Sequence, residues 1–217
     1  MKKLLRSAVT LCLCLALVLA AVPASAAREL AYKLPDFEYV NVIANNYKHY
    51  NLPVYSGPTT RSWRGARSKA SVSTLGTIWA CGWEDGWLLV MYQLNDSNYR
   101  VGFIRGSMFN ADAILPGQEL NLAYESVRVT TACALTDDPI TASRTTTTIE
   151  AGTTVTYLAS YGGWSYVEVP FGKNIARGFV NTSYLELPDS LYNTSGTVAE
   201  IPSLSQLTTD SGDSTGN

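Results

Sequence analysis

Reactive side chains work in matched sets, and this chain holds few. Its single histidine is His49. Cys81 and Cys133 are the two cysteines outside an apolar N-terminal run. A cysteine nucleophile needs a base and a third group that orients the base. Both cysteines fall in segments that read as strands, remote in sequence from His49. A zinc centre needs several N or S ligands, and one His with two Cys does not make the usual set. No metal and no cofactor are expected. Asp137 and Asp138 are adjacent, so on a strand they would point to opposite faces. Before Pro139 they read as turn residues. Asp210 and Asp213 match no calcium loop. The absence of a catalytic set predicts that the protein is not an enzyme.

What remains is aromatic. The chain has 13 Tyr and 5 Trp. Two tryptophans, Trp87 and Trp164, each follow a glycine and open a strand-like run. In Trp164–Val169, alternation puts Ser165, Val167 and Val169 on one face and Trp164, Tyr166 and Glu168 on the other. A glutamate is rarely fully buried, so the valine face reads as core and the tryptophan face as outward. In the earlier run, Leu88 and Val90 take the core face, and Trp87 looks outward with Leu89 and Met91. An exposed ring stacks on sugars, prolines and peptide planes. Trp87, Trp164 and Tyr166 are therefore candidate ligand contacts, joined by Tyr55, Trp63 and Tyr99. The competing reading is that each Trp is covered by a neighbouring segment or by the other run, since Trp is highly buried on average. Trp63 lies in a loop with Arg61, Arg64 and Arg67. Those charges suit an anionic polymer or a carboxylate-bearing peptide, or form a solvated loop.

The elements that must position these residues occur twice. Gly86-Trp87 matches Gly163-Trp164, and Gly102-Phe103-Ile104 matches Gly178-Phe179-Val180. Ser107-Met108-Phe109 matches Ser183-Tyr184-Leu185, and Gly76-Thr77 matches Gly152-Thr153. Further upstream, Leu52–Pro58 matches Cys133–Pro139. Anchors repeated in one order mark a duplication. Each copy reads as a short strand, a Pro-containing loop, a second strand opened by Gly76 or Gly152, a Trp-bearing third strand, a polar hairpin and a fourth strand. Tyr, Thr, Trp and Val are abundant and no long segment has helical spacing, so the chain reads as all-β.

Both copies resemble bacterial SH3-like (SH3b) domains. The resemblance rests on Val54-Tyr55-Ser56-Gly57-Pro58, on Gly86-Trp87-Leu88-Leu89-Val90 with Gly163-Trp164-Ser165-Tyr166-Val167, and on the two Gly-Phe-Ile/Val endings. It covers about 50–110 and 125–188. It implies two tandem small SH3-like β-barrels, with a ligand groove between the loops that flank the Trp-bearing strand. The second copy departs where Asp137-Asp138-Pro139 replaces Gly-Pro. The first departs by a longer basic loop, Arg61 to Lys69. Those departures put a shared ligand in doubt.

Lys2, Lys3 and Arg6 precede an apolar run and the small-residue site Ala24-Ser25-Ala26, the layout of a secretory signal peptide. The run is shorter than the ~20 residues of a spanning helix. Residues 1–26 are expected to be removed, leaving no membrane span and a secreted, cell-wall-associated protein. Thirteen basic and 18 acidic residues then remain, a net charge of −5, which does not favour nucleic acid. An even pair of cysteines in a secreted chain permits a Cys81–Cys133 disulfide; the alternative is two buried thiols. The expected plan is a lead-in over 27–50 with an extra strand near Tyr39–Ile43, domains at 51–110 and 125–188, a linker over 111–124 and a disordered Ser/Thr-rich tail over 189–217. The leading expectation is non-catalytic binding of peptidoglycan peptides or wall glycans, two weak sites gaining by effective concentration. A second is an adaptor for an envelope protein, marked by an apolar aromatic patch joining both copies. A third is a pair of barrels packed on each other, binding nothing through their grooves.

Overall fold

Strand-forming residues and tight turns dictate the local structure. In the computed structural model, the described residues are 28–40, 51–108, 118–142 and 144–193. The signal segment, His49 and the tail beyond Asn193 lie outside them. The lead-in supplies β1 (Glu38–Val40), and the first copy supplies β2 (Asn51–Pro53), β3 (Ser71–Ser73), β4 (Ile78–Glu84), β5 (Trp87–Asn95) and β6 (Asn98–Arg105). After β7 (Gln118–Glu119), the second copy supplies β8 (Glu125–Val129), β9 (Cys133–Thr136), β10 (Thr145–Ile149), β11 (Thr154–Tyr161), β12 (Trp164–Phe171), β13 (Asn174–Asn181) and β14 (Leu185–Glu186). The protein is all-β. Among the described residues, no helix is long and apolar enough to cross a membrane.

The strands form a five-stranded sheet, β1-β4-β5-β6 with β7 on β4, a seven-stranded sheet, β10-β9-β13-β12-β11-β8-β14, and the pair β2-β3. Asp85 and Gly86 both have positive φ, 49° and 76°. That is the geometry of a two-residue hairpin whose twist matches its strands, and it joins β4 to β5. The predicted polar hairpins connect β5 to β6 and β12 to β13.

The duplication is visible in the pairing. Trp87 pairs with Arg105 and Trp164 with Asn181. Each second strand carries a bulge at the same place, between Ala80 and Gly82 and between Tyr157 and Ala159. The extra residues, Cys81 and Leu158, are both buried. Tyr55 bridges to Phe103, and Thr136 to Phe179. This second pairing explains the repeated glycine. A Cβ on Gly102 would lie 2.7 Å from the Tyr55 carbonyl oxygen, and one on Gly178 would lie 2.5 Å from that of Thr136.

Three apolar clusters follow. Leu52, Val54, Ile78, Leu88, Val90 and Ile104 fill the first copy. Val127, Leu135, Val155, Val167, Val169 and Val180 fill the second. The valine faces are thus core, as alternation predicts. The third cluster joins the copies: Cys81, Leu89, Met91 and Phe103 meet Leu158, Ala159, Tyr166 and Phe179. The faces expected to look outward are buried against each other. The sequence pattern hides this because both faces of each meander are apolar, and alternation alone does not say what covers the second face. Leu30–Thr194 is accordingly one compact unit.

The flanking segments are ordered further than expected. β1 pairs with β4, and Lys33 bridges to Ser160, so the lead-in straps onto both copies. Residues 41–43 of the predicted extra strand lie outside the described residues. The second half of the expected linker is structural: β7 lies parallel to β4, and Leu120 is buried in the joint cluster. The start of the expected disordered tail forms a 3-10 turn, Asp189–Leu191, because Leu191 enters the second copy's core. Tyr192 then bridges antiparallel to Leu30.

Gly102→Ala and Gly178→Ala each push a methyl against strand backbone, and each is expected to cost about 2–3 kcal/mol. Gly86→Ala meets open space and loses only its turn conformation, about 1–2 kcal/mol. Urea unfolding of the three variants measures the order. Equal losses at all three sites would contradict the close-approach account.

Candidate ligand groove and the seam that shapes it

The seam decides which aromatic side chains are free. Tyr166 is 1% exposed, between Phe179, 4.9 Å away between ring centres, and the first copy, where its Oη donates to the Ser56 carbonyl at 3.4 Å. Burial pushes its phenol far above the ordinary value. It is a seam residue and not a surface contact. Trp63 is also withdrawn: its ring lies 5.7 Å from Phe171 of the second copy, and its backbone N–H donates to the Ile175 carbonyl. Tyr99 packs edge-on against Trp79 at 5.8 Å. Trp164 is half-buried at the margin of the joint cluster.

Tyr55 and Trp87 do come together. Their ring centres are 5.4 Å apart at 84°. They line a groove of about 210 Å³ with Pro53, Thr60, Arg105, Ser107 and Met108. β5 and β6 place Trp87 opposite Arg105, and the Tyr55–Phe103 bridge brings Tyr55 onto the same edge. The Arg105 guanidinium lies 5.2 Å from the Trp87 ring centre, and that of Arg64 lies 4.9 Å from the Tyr55 ring centre. Cation–π contacts of this kind are worth about 0.5–1 kcal/mol where exposed. In the second copy, Thr136 stands in place of Tyr55, and its hydroxyl lies 3.1 Å from both the Asp138 and the Phe179 carbonyl oxygens, sharing its one proton between them. Asn181 stands in place of Arg105, and its Oδ1 accepts from the Ser183 N–H and hydroxyl. The aromatic–cationic groove therefore belongs to the first copy, and the pair of equivalent sites expected from the repeat is absent from these positions.

Sequence reasoning missed the charges in the seam. The Arg177 guanidinium reaches across to Glu84, with Nη1–Oε2 at 2.6 Å and Nη2–Oε1 at 3.2 Å, and its Nε donates to Glu168 at 2.7 Å. The Tyr124 hydroxyl donates to Glu84. A second pair joins Arg100 Nε to Asp137 Oδ2 at 2.8 Å, and the Val101 N–H donates to the Asp137 carbonyl at 2.7 Å. Burial pushes the Asp137 carboxyl above its ordinary value while Arg100 pulls it back. Asp137 therefore does more than turn the chain. Asp138 has the expected turn role, its Oδ1 accepting from the Ile140, Thr141 and Ala142 N–H groups. The available signal was a buried-length arginine at Arg100 and Arg177 inside otherwise apolar strands.

Cys81 and Cys133 are both free and buried. Cys81 sits in the seam and Cys133 in the second copy's own core, so they occupy different clusters and form no disulfide. Burial raises both thiol pKa values, which disfavours the reactive thiolate.

No family model matches the chain, and no curated protein matches it. One solved structure, "Structure of NlpC1 from Trichomonas vaginalis", is similar at 13% identity and a TM-score of 0.27, covering 76% of this chain and 50% of that one. This chain spans half the length of that protein, and so shallow a likeness carries no argument about fold or function.

Removing one partner of a buried pair strands the other charge. Glu84→Ala is expected to cost about 3–5 kcal/mol. Glu168→Ala, at the wetter edge of the network, should cost about 1 kcal/mol or less. Denaturant titration checks both, and a mild Glu84 variant would remove the network from the seam's account. Alkali tests the buried phenols. Burial lifts Tyr157 to about 12 and Tyr166 further. Unfolded tyrosines lose protons near pH ~10, so from there to about 12 the unfolded state binds fewer protons and stability falls as pH rises. Urea midpoints that stay level from pH ~9 to pH ~11 would contradict that burial.

Proposed function

We propose that the protein is a secreted, non-catalytic binding protein of the bacterial cell envelope, built from two SH3b-like copies fused into one body, and that it binds peptidoglycan peptides through the groove of its first copy. The observation that carries the reading is the groove itself: Tyr55, Trp87 and Arg105 line a concave site of about 210 Å³, smaller than the pocket of a drug-sized ligand and suited to the end of a short peptide. The groove lies at one end of the Trp-bearing strand, where the resemblance to SH3b domains leads one to expect it. The second copy acts as a scaffold that buries the back of the first. Binding is then one ligand per chain, with no avidity between copies.

The adaptor reading anticipated an exposed aromatic patch joining both copies. The aromatic residues that join them, Tyr166, Phe179 and Phe103, are buried in the seam, which favours the groove over a broad protein-binding surface.

Thr60 is exposed on the groove wall. Thr60→Trp fills the groove without touching a core cluster, and Thr148→Trp, exposed on the second copy, serves as control. With residues 27–217 mixed with insoluble sacculi and spun, wild type and the control are expected in the pellet. Thr60→Trp should be shifted to the supernatant by about tenfold or more. Wild type left in the supernatant would end the wall-binding proposal.

A further inference from the structure

We infer that the groove selects its ligand by a free carboxylate, that the ligand is a short peptide, and that Arg105 is the specificity-determining residue. The inference rests on the groove being the binding site. Stacking of a sugar ring needs an open aromatic face. Here Trp87 is 9% exposed and Arg105 lies over its ring, while Arg64 lies over Tyr55. The aromatic faces are already taken by guanidinium groups, so the rings serve to hold cations in place.

The two cations differ. Arg64 is spent on its own loop, with Nε donating to the Val54 carbonyl at 3.3 Å and Nη2 to the Ala70 carbonyl at 2.7 Å. Arg105 is exposed and makes no ion pair among the described residues. A guanidinium that rests on an indole keeps its in-plane N–H donors turned outward. A carboxylate accepts two of them in parallel, which a neutral amide or a sugar hydroxyl cannot match. Holding the cation against Trp87 also reduces the side-chain freedom lost on binding. The remaining wall combines the apolar Pro53 and Met108 with the Thr60 hydroxyl. That lining suits a peptide end with a small aliphatic side chain. A volume of about 210 Å³ admits the end of a short peptide and no folded partner.

The test uses ¹⁵N-labelled residues 27–217 and three probes: N-acetyl-Ala-Ala with a free carboxylate, the same dipeptide as its C-terminal amide, and a trimer of N-acetylglucosamine. The acid is expected to shift the Trp87 indole and Arg105 Nε–H resonances and to bind about tenfold or more tightly than the amide. Arg105→Gln, with unchanged spectral dispersion elsewhere, should reduce the acid to the affinity of the amide. Equal binding of acid and amide, unchanged affinity in Arg105→Gln, or a groove response to the sugar alone would overturn the carboxylate inference and leave the groove as a binding site. No response at Trp87 or Arg105 to any of the three would overturn the groove and the inference together.

Discussion

The structure depends on one constraint: each three-stranded meander is apolar on both sides. Leu88 and Val90 turn inward to their own copy, while Leu89, Met91 and Phe103 turn the other way and are equally buried. A sheet with two apolar faces must be covered twice, because apolar area left in water forgoes about 25 cal/mol for each Å². The second copy supplies that cover with its own second face, led by Tyr166 and Phe179. The paired bulges at Cys81 and Leu158 add a residue from each side to the same layer. Bulges commonly re-aim a side chain in this way.

Packing of apolar faces is tolerant of small slides, and the polar groups of the seam remove that tolerance. A buried ion pair adds little net stability over a well-packed apolar replacement, but misplacing either partner is costly. Arg177 with Glu84 and Arg100 with Asp137 pin the two copies at two separate points. The two departures from the repeat supply two of the docking contacts. The lengthened loop of the first copy carries Trp63 onto Phe171, and Asp137 of the second takes the place of Ser56 of the first. Divergence between the copies thus turned a repeat into an asymmetric pair.

Much of this was legible in the sequence. The duplication, the turn at Asp85-Gly86, the polar hairpins and the valine core faces all follow from local rules, since turn residues and period-two patterns act over a few positions. The fate of the second face did not follow. Trp87, Tyr166 and Trp63 share the look of ligand contacts because a ring at a sheet surface reads the same whether water or another sheet lies above it. Glu168 misled in a specific way: it marked its face as wet, yet it is half-buried beside Arg177, and one rim charge does not describe the rest of its face. Tyr55 and Trp87 were named from sequence and line one groove, whereas Arg105 was not named, because its place there comes from the ring it rests on.

The bridge between Leu30 and Tyr192 brings the two ends of the compact unit side by side. A body whose entry and exit strands are neighbours can hang from a longer polypeptide like a bead on a short loop. Tension along such a polypeptide would meet that bridge first and open it from the ends.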